Sequence, residues 1–393
     1  MEVKIINYDD LGNGISKINN KVCFIKKGLK DEVVDIKIIK DKKNYSVGVI
    51  NNIIEKSNLR IKPICPYYDK CGGCNFLHVL KEEEKNFKIN KAINYFSLKN
   101  SFYETLDFNY RNKVTLHVKN GVIGLYIKET NDIIKIDYCY LLEEKINLII
   151  KLLDKYQDNN FNGNIMIRVN NKQESLVSIT GNFSLIDKLK KEELIDNLIL
   201  NDQVIKGKSY FVENILDYKF KVSYKSFFQV NRLGLIRIIN ILDNFLQDKV
   251  INTSLDLYSG TSVLGIILSK YSKKVISVEE NKFATQDANY NIELNNIKNL
   301  EVINSKVEDV IDNFKNIDLV LIDPARRGLD LKTINNLKII NSKYLIYIAC
   351  SMDSLKRDLV YLKEDYKLLN LYLVDMFPKT NHVECVSVLQ NKK

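Results

Sequence analysis

Three cysteines near residue 70 lie close enough in sequence to share a metal. Cys65, Cys71 and Cys74 form the pattern C-x5-C-x2-C, and the glycine pair between the last two lets the backbone turn tightly. Structural zinc and iron-sulfur clusters both usually take four ligands, and Cys139 is the best-placed candidate for the fourth. The spacing therefore predicts a four-cysteine metal site and leaves zinc and iron open.

A second candidate site is the glycine-containing turn from Leu255 to Gly265, where a strand is expected to pass into a helix. Glu279 follows 23 residues after Asp256, at the end of the next strand, where a carboxylate can accept hydrogen bonds from ribose hydroxyls. A dinucleotide needs a second glycine where Ser262 stands, because the backbone must approach the pyrophosphate. A nicotinamide cofactor is therefore disfavoured. S-adenosylmethionine has no pyrophosphate, so a methyltransferase fits this turn better.

Three more side chains that could do chemistry lie next to apolar, strand-like runs. Asp323 and Pro324 follow residues 318–322, and Cys350 follows a similar run. Because the carboxyl ends of parallel strands meet at one edge of a sheet, we expect Asp323 and Cys350 to face the same crevice. By itself such a cysteine is more often an inert core thiol than a nucleophile. Glu384 begins another apolar run, where a carboxylate is costly unless it is used.

The composition sets the broad class of protein. The chain has 393 residues, 45% hydrophobic and 27% charged, which is ordinary for globular proteins and excludes wholesale disorder and a single small module. Lys and Arg number 59 against 49 Asp and Glu, a net charge of +10, which favours a polyanionic partner. The N-terminus does not resemble a signal peptide and there is no long apolar run. We expect a cytoplasmic protein without a disulfide framework, since its seven cysteines are odd in number and unevenly spaced.

The elements that position these residues differ along the chain. Short Val- and Ile-rich runs separated by turn formers predict a small β-barrel over residues 1–57, either RNA-binding or accessory. An acidic first turn, Glu82–Glu84, followed by apolar residues at helical spacing predicts a helix over 81–96. Strand-like pieces between about 100 and 215 predict an antiparallel or α+β insert. After about 220, strands alternate with helical stretches, which predicts a doubly wound parallel sheet.

Together these features resemble the RNA uracil-5-methyltransferase family, specifically its 23S ribosomal RNA branch with an iron-sulfur cluster. The resemblance covers nearly the whole chain and includes the segments Tyr110–Lys113, Phe227–Asn231 and Phe377–Glu384. It implies that Cys350 is the nucleophile and Glu384 the base. By the same match, the S-adenosylmethionine contacts are Gln229, Tyr258, Glu279 and Asp323, and the cluster ligands are Cys65, Cys71, Cys74 and Cys139.

The resemblance also implies an organisation and an activity. The fold class is α/β: an OB-like TRAM β-barrel (1–57) that binds RNA, a central α+β iron-sulfur domain (58–215) and a Rossmann-like S-adenosylmethionine-dependent methyltransferase domain (216–393). The implied reaction is methylation of uridine at C5 in 23S ribosomal RNA, through a covalent cysteine adduct at C6. The implied cofactors are S-adenosylmethionine and a [4Fe-4S] cluster, with zinc as the alternative. We expect a monomer that binds RNA and no membrane. A transfer RNA methyltransferase and a weakened RNA-binding relative are the alternatives.

Four residues at three sites depart from the family pattern. Ser262 stands where the family usually has a second glycine, and Ala325 stands where it usually has a second proline. Ser351-Met352 replaces Asn-Pro after the proposed nucleophile. The first change could alter the fit of the cofactor, and the last could alter how the loop of the nucleophile contacts the flipped base. The downstream residues Leu355 and Arg357-Asp358 do match the family.

Overall fold

The computed structural model describes residues 1–156 and 158–393, and its N-terminal part is a closed sheet of six strands. The strand order is β1-β5-β6-β4-β3-β2. Because β1 and β2 are successive parts of one segment, pairing of β1 with β5 and of β2 with β3 closes the sheet into a barrel. Ile5, Cys23, Ile25 and Val34 lie in its buried core. The strands are β1 (Glu2–Lys4), β2 (Asn7–Tyr8), β3 (Gly14–Ile18), β4 (Lys21–Lys26), β5 (Val33–Asp41) and β6 (Tyr45–Glu55).

The helix after the Cys-rich segment is α1 (Lys81–Phe96), with the bounds that the sequence predicts. Its buried face differs from the expectation. The buried stripe is Glu84, Lys88 and Ala92, whereas the apolar Ile93 is 43% exposed. The acidic first turn is therefore only partly exposed to solvent, because Glu84 points inward and forms ion pairs.

The central part contains a seven-stranded sheet in the order β10-β9-β8-β11-β12-β13-β14. A short strand, β7, precedes it in sequence but pairs in parallel with a strand of the last sheet. One short strand of the stretch 58–215 thus belongs to the last sheet, and the domain bounds themselves stay a prediction. The elements are β7 (Ser101–Tyr103), β8 (Lys113–Lys119), β9 (Val122–Tyr126), β10 (Ile133–Lys135), α2 (Glu144–Leu153), β11 (Gly163–Val169), β12 (Ser175–Gly181), α3 (Ile186–Leu189), β13 (Asn197–Leu200) and β14 (Gln203–Lys206).

The C-terminal part begins with an antiparallel hairpin of β15 and β16 and continues as alternating strands and helices. The alternation that the sequence predicts after about residue 220 is present. The elements are β15 (Tyr210–Ile215), β16 (Tyr218–Ser223), α4 (Arg232–Leu246), β17 (Ile251–Leu257), α5 (Val263–Leu268), β18 (Ser272–Glu279), α6 (Lys282–Leu294), β19 (Leu300–Asn304), α7 (Val307–Val310), a 3-10 turn (Ile311–Asn313), β20 (Leu319–Ile322), α8 (Leu331–Ile340), β21 (Tyr344–Ala349), α9 (Met352–Leu362), β22 (Tyr366–Val374) and β23 (Glu384–Asn391).

The strands β17 to β23, together with β7, form an eight-stranded sheet in the order β19-β18-β17-β20-β21-β23-β22-β7. The five neighbouring strands β19, β18, β17, β20 and β21 are parallel to one another, as expected for a doubly wound sheet. The expectation of a wholly parallel sheet was wrong at β23, which is antiparallel to both β21 and β22. The reason is the connection: a loop rather than a crossover helix joins β22 to β23, so the chain must return in the opposite direction.

Apolar residues cover both faces of this sheet, in two separate buried clusters. One cluster includes residues of α4 and α5, and the other includes residues of α8 and α9. Helices on both faces explain why strands such as β20 and β21 are continuously apolar. Among residues 1–156 and 158–393, there is no helix long and apolar enough to cross a membrane.

Candidate active site

The antiparallel strand β23 determines which side chains meet at the edge of the sheet. Ala349, the last residue of β21, is paired with Cys385, the second residue of β23. The next positions outward are Cys350 on one strand and Glu384 on the other. A parallel β23 would place Glu384 at the opposite edge, so the antiparallel direction is what brings the thiol and the carboxyl group together.

A cavity of about 1090 Å³ opens at this edge. Its volume is slightly above the usual range for small-molecule and cofactor sites, roughly 300 to 1,000 Å³. The two proposed catalytic residues and the four proposed cofactor contacts all line it: Gln229, Tyr258, Glu279, Asp323, Cys350 and Glu384. The structure therefore brings these six residues to one site, and their individual roles stay predictions.

The turn between β17 and α5 forms one wall of the cavity. Gly260 has a φ of 54°, and its N–H donates to Glu279 Oε2 at 2.9 Å. The other carboxylate oxygen of Glu279 accepts from Asn281 N at 2.8 Å. Both backbone groups fix the carboxylate in place, and its remaining lone pairs are available to ribose hydroxyls. The sequence predicts that Glu279 accepts hydrogen bonds from ribose hydroxyls, and this arrangement is suited to that role.

Ser262, which replaces the family glycine, adopts a backbone conformation that favours glycine. Its φ is 57°, a left-handed value that costs a residue with a side chain free energy. Its buried hydroxyl forms a hydrogen bond of 2.7 Å with Ser277 Oγ, which in turn donates to Asp256 Oδ2 at 3.0 Å. The serine is thus accommodated by a hydrogen-bond chain to the glycine turn.

Asp256 is a cavity residue that the sequence analysis used as a marker and did not assign to the site. It is buried and lines the cavity. Burial raises its pKa to about 7, opposed by the hydrogen bond from Ser277 and reinforced by the nearby Asp323. The available signal was its position, since a carboxylate inside the apolar strand β17 is costly without a purpose.

The proposed nucleophile lies beside two buried carboxyl groups. Burial, Glu384 and Asp323 together raise the pKa of the Cys350 thiol to about 11, whereas Arg326 lowers it. Burial also raises the pKa of Asp323 to about 7. For Glu384, burial and the charge of Asp323 raise the pKa well above its usual value, and Arg326 opposes this rise. The free protein therefore holds a neutral thiol beside carboxyl groups that keep protons at unusually high pH.

The loop that carries Asp323 and Arg326 is held by α9. Arg357 Nη2 donates to Arg327 O at 2.9 Å, and Leu329 N donates to Asp358 Oδ2, also at 2.9 Å. A Cβ atom at Gly328, whose φ is 73°, would stand 2.5 Å from Asp358 Oδ2. These contacts give a structural reason for the Arg357-Asp358 pair that matches the family. They do not need a proline at residue 325.

The departure Ser351-Met352 forms the start of α9. Ser351 is the N-cap, and its Oγ accepts from Ser354 N at 3.3 Å, while Met352 is 5% exposed. Serine and asparagine are both favoured N-caps, and a proline at the first helical position is favoured without being required. The substitution therefore preserves the turn that follows Cys350.

The segment Phe227–Asn231 forms the opposite rim of the cavity. Asn112 Nδ2 donates to Gln229 O at 3.2 Å, and Asn112 N donates to Val230 O at 2.9 Å, so the two family-like segments contact each other. Asn231 caps α4 by accepting from Gly234 N. Phe227 lines the cavity and is 62% exposed, which leaves an aromatic face available for stacking on a base.

The four cysteines come from two segments that the structure fastens together. Tyr67 Oη donates to Asp137 Oδ2 at 2.9 Å, and Asn147 Oδ1 accepts from Cys139 N at 2.9 Å. Burial raises the pKa of Cys74, and the charges of the other three cysteines raise it further. Burial also raises the pKa of Cys139, and the charges of Cys71 and Cys65 raise it further. The four sulfurs therefore lie within electrostatic reach of one another.

As placed, no group of three or more His, Cys, Asp or Glu side chains has metal-binding spacing in the part of the chain that the structure describes, 1–156 and 158–393. A bound metal cation would nevertheless relieve the mutual repulsion of four ionised thiols, since thiolates are ligands of such a cation. The donor set fits a four-thiolate group by its chemistry. Zinc and an iron-sulfur cluster both meet that description.

Fold and cavity together define an α/β methyltransferase fold with a thiol and carboxyl groups at one cavity and an N-terminal barrel. Residues 80–392 match the sequence profile of the tRNA (uracil-5-)-methyltransferase family, and residues 1–50 match that of the TRAM domain. The chain belongs to this family and is an S-adenosylmethionine-dependent RNA uracil-5-methyltransferase. The expectation of this family and of an N-terminal TRAM domain is confirmed.

Similar proteins match this chain over nearly its full length. An uncharacterized RNA methyltransferase of Clostridium acetobutylicum is 31% identical over 99% of this chain and 96% of its own. One of Clostridium tetani is 31% identical over 96% and 93%. The solved tRNA (uracil-54, C5)-methyltransferase of Pyrococcus abyssi, in complex with S-adenosyl-L-homocysteine, has a TM-score of 0.81 at 21% identity, covering 98% of this chain and 99% of its own. That structure shares the fold.

Proposed function

We propose that the protein methylates C5 of a uridine in 23S ribosomal RNA through a covalent adduct between Cys350 and C6. The observation that carries this proposal is the pairing of β21 with β23, which sets Cys350 and Glu384 side by side at the cavity. A uridine cannot reach that cavity inside a helix, so the base must be flipped out at a cost of about a few kcal/mol. The exposed Phe227 at the rim is available to stack on RNA bases.

The chemistry explains why both side chains are needed. Uracil C5 is a weak nucleophile, so the Cys350 thiolate first adds to C6, forming an Sγ–C6 bond and moving an electron pair toward C5 and O4. S-adenosylmethionine, when bound, would supply the methyl group that becomes attached to C5 and would leave as S-adenosylhomocysteine. Glu384 then takes the proton from C5, a step for which it must be in its carboxylate form. The C5–C6 double bond re-forms, the Sγ–C6 bond breaks, and Cys350 leaves as the thiolate.

The cofactor contacts follow from the cavity walls. Gln229, Tyr258 and Glu279 lie on the side of the glycine turn and α4, while Asp323 lies between that side and Cys350. In the proposal, Glu279 holds the ribose hydroxyls. Asp323 orients the base or the cofactor, because it is half-buried at the cavity wall and electrostatically close to both proposed catalytic residues.

Two variants test the mechanism. Cys350→Ala should abolish methyl transfer while leaving S-adenosylmethionine binding measurable, because the cofactor side of the cavity is unchanged. Glu384→Gln should accumulate an RNA–protein adduct that survives a denaturing gel, because the elimination step needs the base. Cys23→Ala, which alters a buried thiol in the barrel, is the control and should methylate normally. Undiminished turnover in Cys350→Ala removes the nucleophile assignment.

Transfer RNA is the second candidate substrate. The matched family profile and the P. abyssi enzyme are both described by activity on tRNA. Radiolabelled methyl transfer to unmodified 23S ribosomal RNA and to unmodified transfer RNA, measured side by side, separates the two. Mapping of 5-methyluridine in RNA from a strain that lacks the gene identifies the site. A folded protein that binds RNA and transfers no methyl group to either would instead be the weakened relative.

The proposal includes a [4Fe-4S] cluster bound by Cys65, Cys71, Cys74 and Cys139. Its role is structural, because methyl transfer moves no net electrons through iron. Anaerobic purification should give a broad visible absorbance band with stoichiometric iron, and Cys139→Ser should lose both. Cys23→Ser is the matched control and should keep them. Stoichiometric zinc without the absorbance band would replace the cluster in this proposal by a zinc site.

A further inference from the structure

The loop that delivers Glu384 to the cavity spans residues 375–383, and its centre has a strained backbone. Lys379 has a φ of 67°, a left-handed value that a residue with a side chain adopts only when its surroundings enforce it. Its carbonyl oxygen accepts from Asn75 N at 2.9 Å and from Phe76 N at 3.0 Å. Its N–H donates to Glu84 Oε1 at 2.7 Å. Both peptide groups of Lys379 are thus fixed by other parts of the chain.

Glu84 belongs to a buried ionic cluster that joins α1 to this loop. Lys88 Nζ lies 2.7 Å from Glu84 Oε1 and 2.8 Å from Asp375 Oδ1. Lys379 Nζ lies 3.4 Å from Glu84 Oε2 and 3.1 Å from Asp107 Oδ2. The Lys88 side chain is fully buried, and the Glu84 side chain is 3% exposed. We call Glu84, Lys88, Asp375 and Lys379 the α1–loop cluster.

The cluster holds the loop at two points, its first residue and its middle. Asp375 comes directly after β22, and its carbonyl oxygen also accepts from Thr105 Oγ1 at 2.6 Å. Tyr110 Oη donates to Pro378 O at 3.1 Å. β23 begins at Glu384, which pairs with Val374 directly before the loop. Because the loop enters the strand at this first residue, its path acts together with the strand pairing to set where the carboxyl group stands relative to the cavity. Cys350, in contrast, follows β21, which the ion pairs of the cluster do not include.

We propose that Glu84 and Lys88 are positioning residues for the proton-removal step: they set the path of loop 375–383 and thereby place the Glu384 carboxyl group over C5 of the bound uridine. This rests on the proposed function of Glu384. Buried charges are costly when unpaired and their pairs are strict in geometry, so the cluster has one low-energy arrangement. Small displacements of a catalytic group reduce the rate strongly.

The proposal predicts a kinetic signature that general damage to the fold does not produce. Lys88→Met keeps the length of the side chain and removes its charge, which frees Asp375 and Glu84. Addition of Cys350 to C6 and methyl transfer should continue, while elimination slows. The covalent RNA adduct should therefore accumulate to at least tenfold the wild-type level, and kcat should fall at least tenfold with KM for S-adenosylmethionine within twofold.

The experiment uses the full-length protein with its RNA substrate and S-adenosylmethionine, quenched at intervals and run on a denaturing gel. Lys85→Met is the matched control: it lies on the same helix, and its Nζ pairs with Glu104 at 2.9 Å, outside the cluster. It should behave as wild type. Glu84→Gln, which keeps an oxygen for the Lys379 N–H, carries the test if Lys88→Met does not fold, as judged by thermal unfolding and cofactor binding.

The outcomes separate this inference from the proposed function. If Glu384→Gln traps an adduct and the folded Lys88→Met or Glu84→Gln variant does not, the positioning role is wrong and the base assignment stands. Equal loss of adduct formation and of product release in these variants would also overturn it, as a purely structural effect. If Glu384→Gln traps no adduct and still methylates, the base assignment fails and takes this inference with it.

Discussion

The surroundings of the Cys350 thiol differ from those of an activated nucleophile. Its pKa is raised to about 11 by burial and by Glu384 and Asp323, with Arg326 alone of the groups named here lowering it. Catalytic thiols are usually made more acidic by nearby positive charge. The raised pKa predicts that the Cys350 thiol is neutral in the free enzyme near pH 7.

This environment predicts the pH dependence of chemical modification. Only the thiolate reacts, and at pH values below the pKa its fraction rises with pH, so alkylation of Cys350 in the free enzyme should accelerate about tenfold per pH unit between about pH 7 and 10. The rate should level off only near the pKa of about 11. Peptide mapping after timed iodoacetamide treatment measures it.

A plateau already reached near pH 8 would show that the thiol is acidic in the free enzyme. Arg326→Met is the informative comparison, because loss of the guanidinium should shift the curve to still higher pH. Arg326 is exposed at the mouth of the site, so the substitution leaves the buried neighbours of Cys350 in place.

At the scale of single elements, the helix α5 depends on a glycine that no other residue can replace without movement. A Cβ atom at Gly265 would stand 2.4 Å from Ser277 Oγ and 2.7 Å from Asp256 Oδ2. Gly265→Ala should therefore destabilise the fold by about 1–3 kcal/mol, typical of overpacking, and weaken cofactor binding through the displaced turn.

Denaturant unfolding and titration with S-adenosylmethionine measure these two effects. Gly48→Ala, in the barrel, is the control, because the closest atom to an added Cβ there is the end of a flexible side chain, Ile36 Cδ1, at 3.1 Å. Comparable losses in the two variants would mean that the crowding at Gly265 is not the cause.

Elements whose residues follow one simple rule were predictable from the sequence. The strands β20 and β21 are buried on both faces and read as continuous apolar runs, and the bounds of α1 follow from its residue pattern. The glycine turn could be located because its spacing to Glu279 reflects a local unit of strand, helix and strand.

What the sequence could not reveal depends on partners distant along the chain. The inward face of α1 is ionic because Asp375, 287 residues from Lys88, supplies the opposing charge. Whether β23 runs parallel or antiparallel to its neighbours depends on its place in the sheet, between β21 and β22. The same limit applies to Asp256, whose neighbours come from β18 and β20. The convergence of Cys350 and Glu384 was expected from the family resemblance rather than from any local pattern.

At the scale of the whole molecule, the barrel is attached to the rest of the chain by a buried ion pair. Arg60 Nε lies 2.5 Å from Glu32 Oε1, and the Glu32 side chain is fully buried. Arg60 Nη2 also donates to Lys27 O at 2.6 Å. Residues of the Cys-rich segment, Phe76 and Val79, pack on Leu29 of the barrel. Barrel and Cys-rich segment therefore share one interface.

Breaking this pair should be costly. Arg60→Ala leaves the carboxylate of Glu32 buried without its guanidinium, and loss of one partner of a buried ion pair typically costs about 3–5 kcal/mol. Urea unfolding measures the change. Lys26→Ala is the control, since its pair with Glu129 is solvent-exposed and should contribute less than about 1 kcal/mol. Similar small effects in both variants would show that Glu32 finds another donor.

The position of β23 has a consequence for the order in which the protein becomes competent. This strand fills the space between β21 and β22, both of which precede it in the chain. During synthesis, a nascent polypeptide that ends before residue 384 lacks the strand between β21 and β22 and holds Cys350 without the Glu384 carboxyl group beside it. In the proposed mechanism, the release of methylated RNA therefore becomes possible only once translation has passed the last strand.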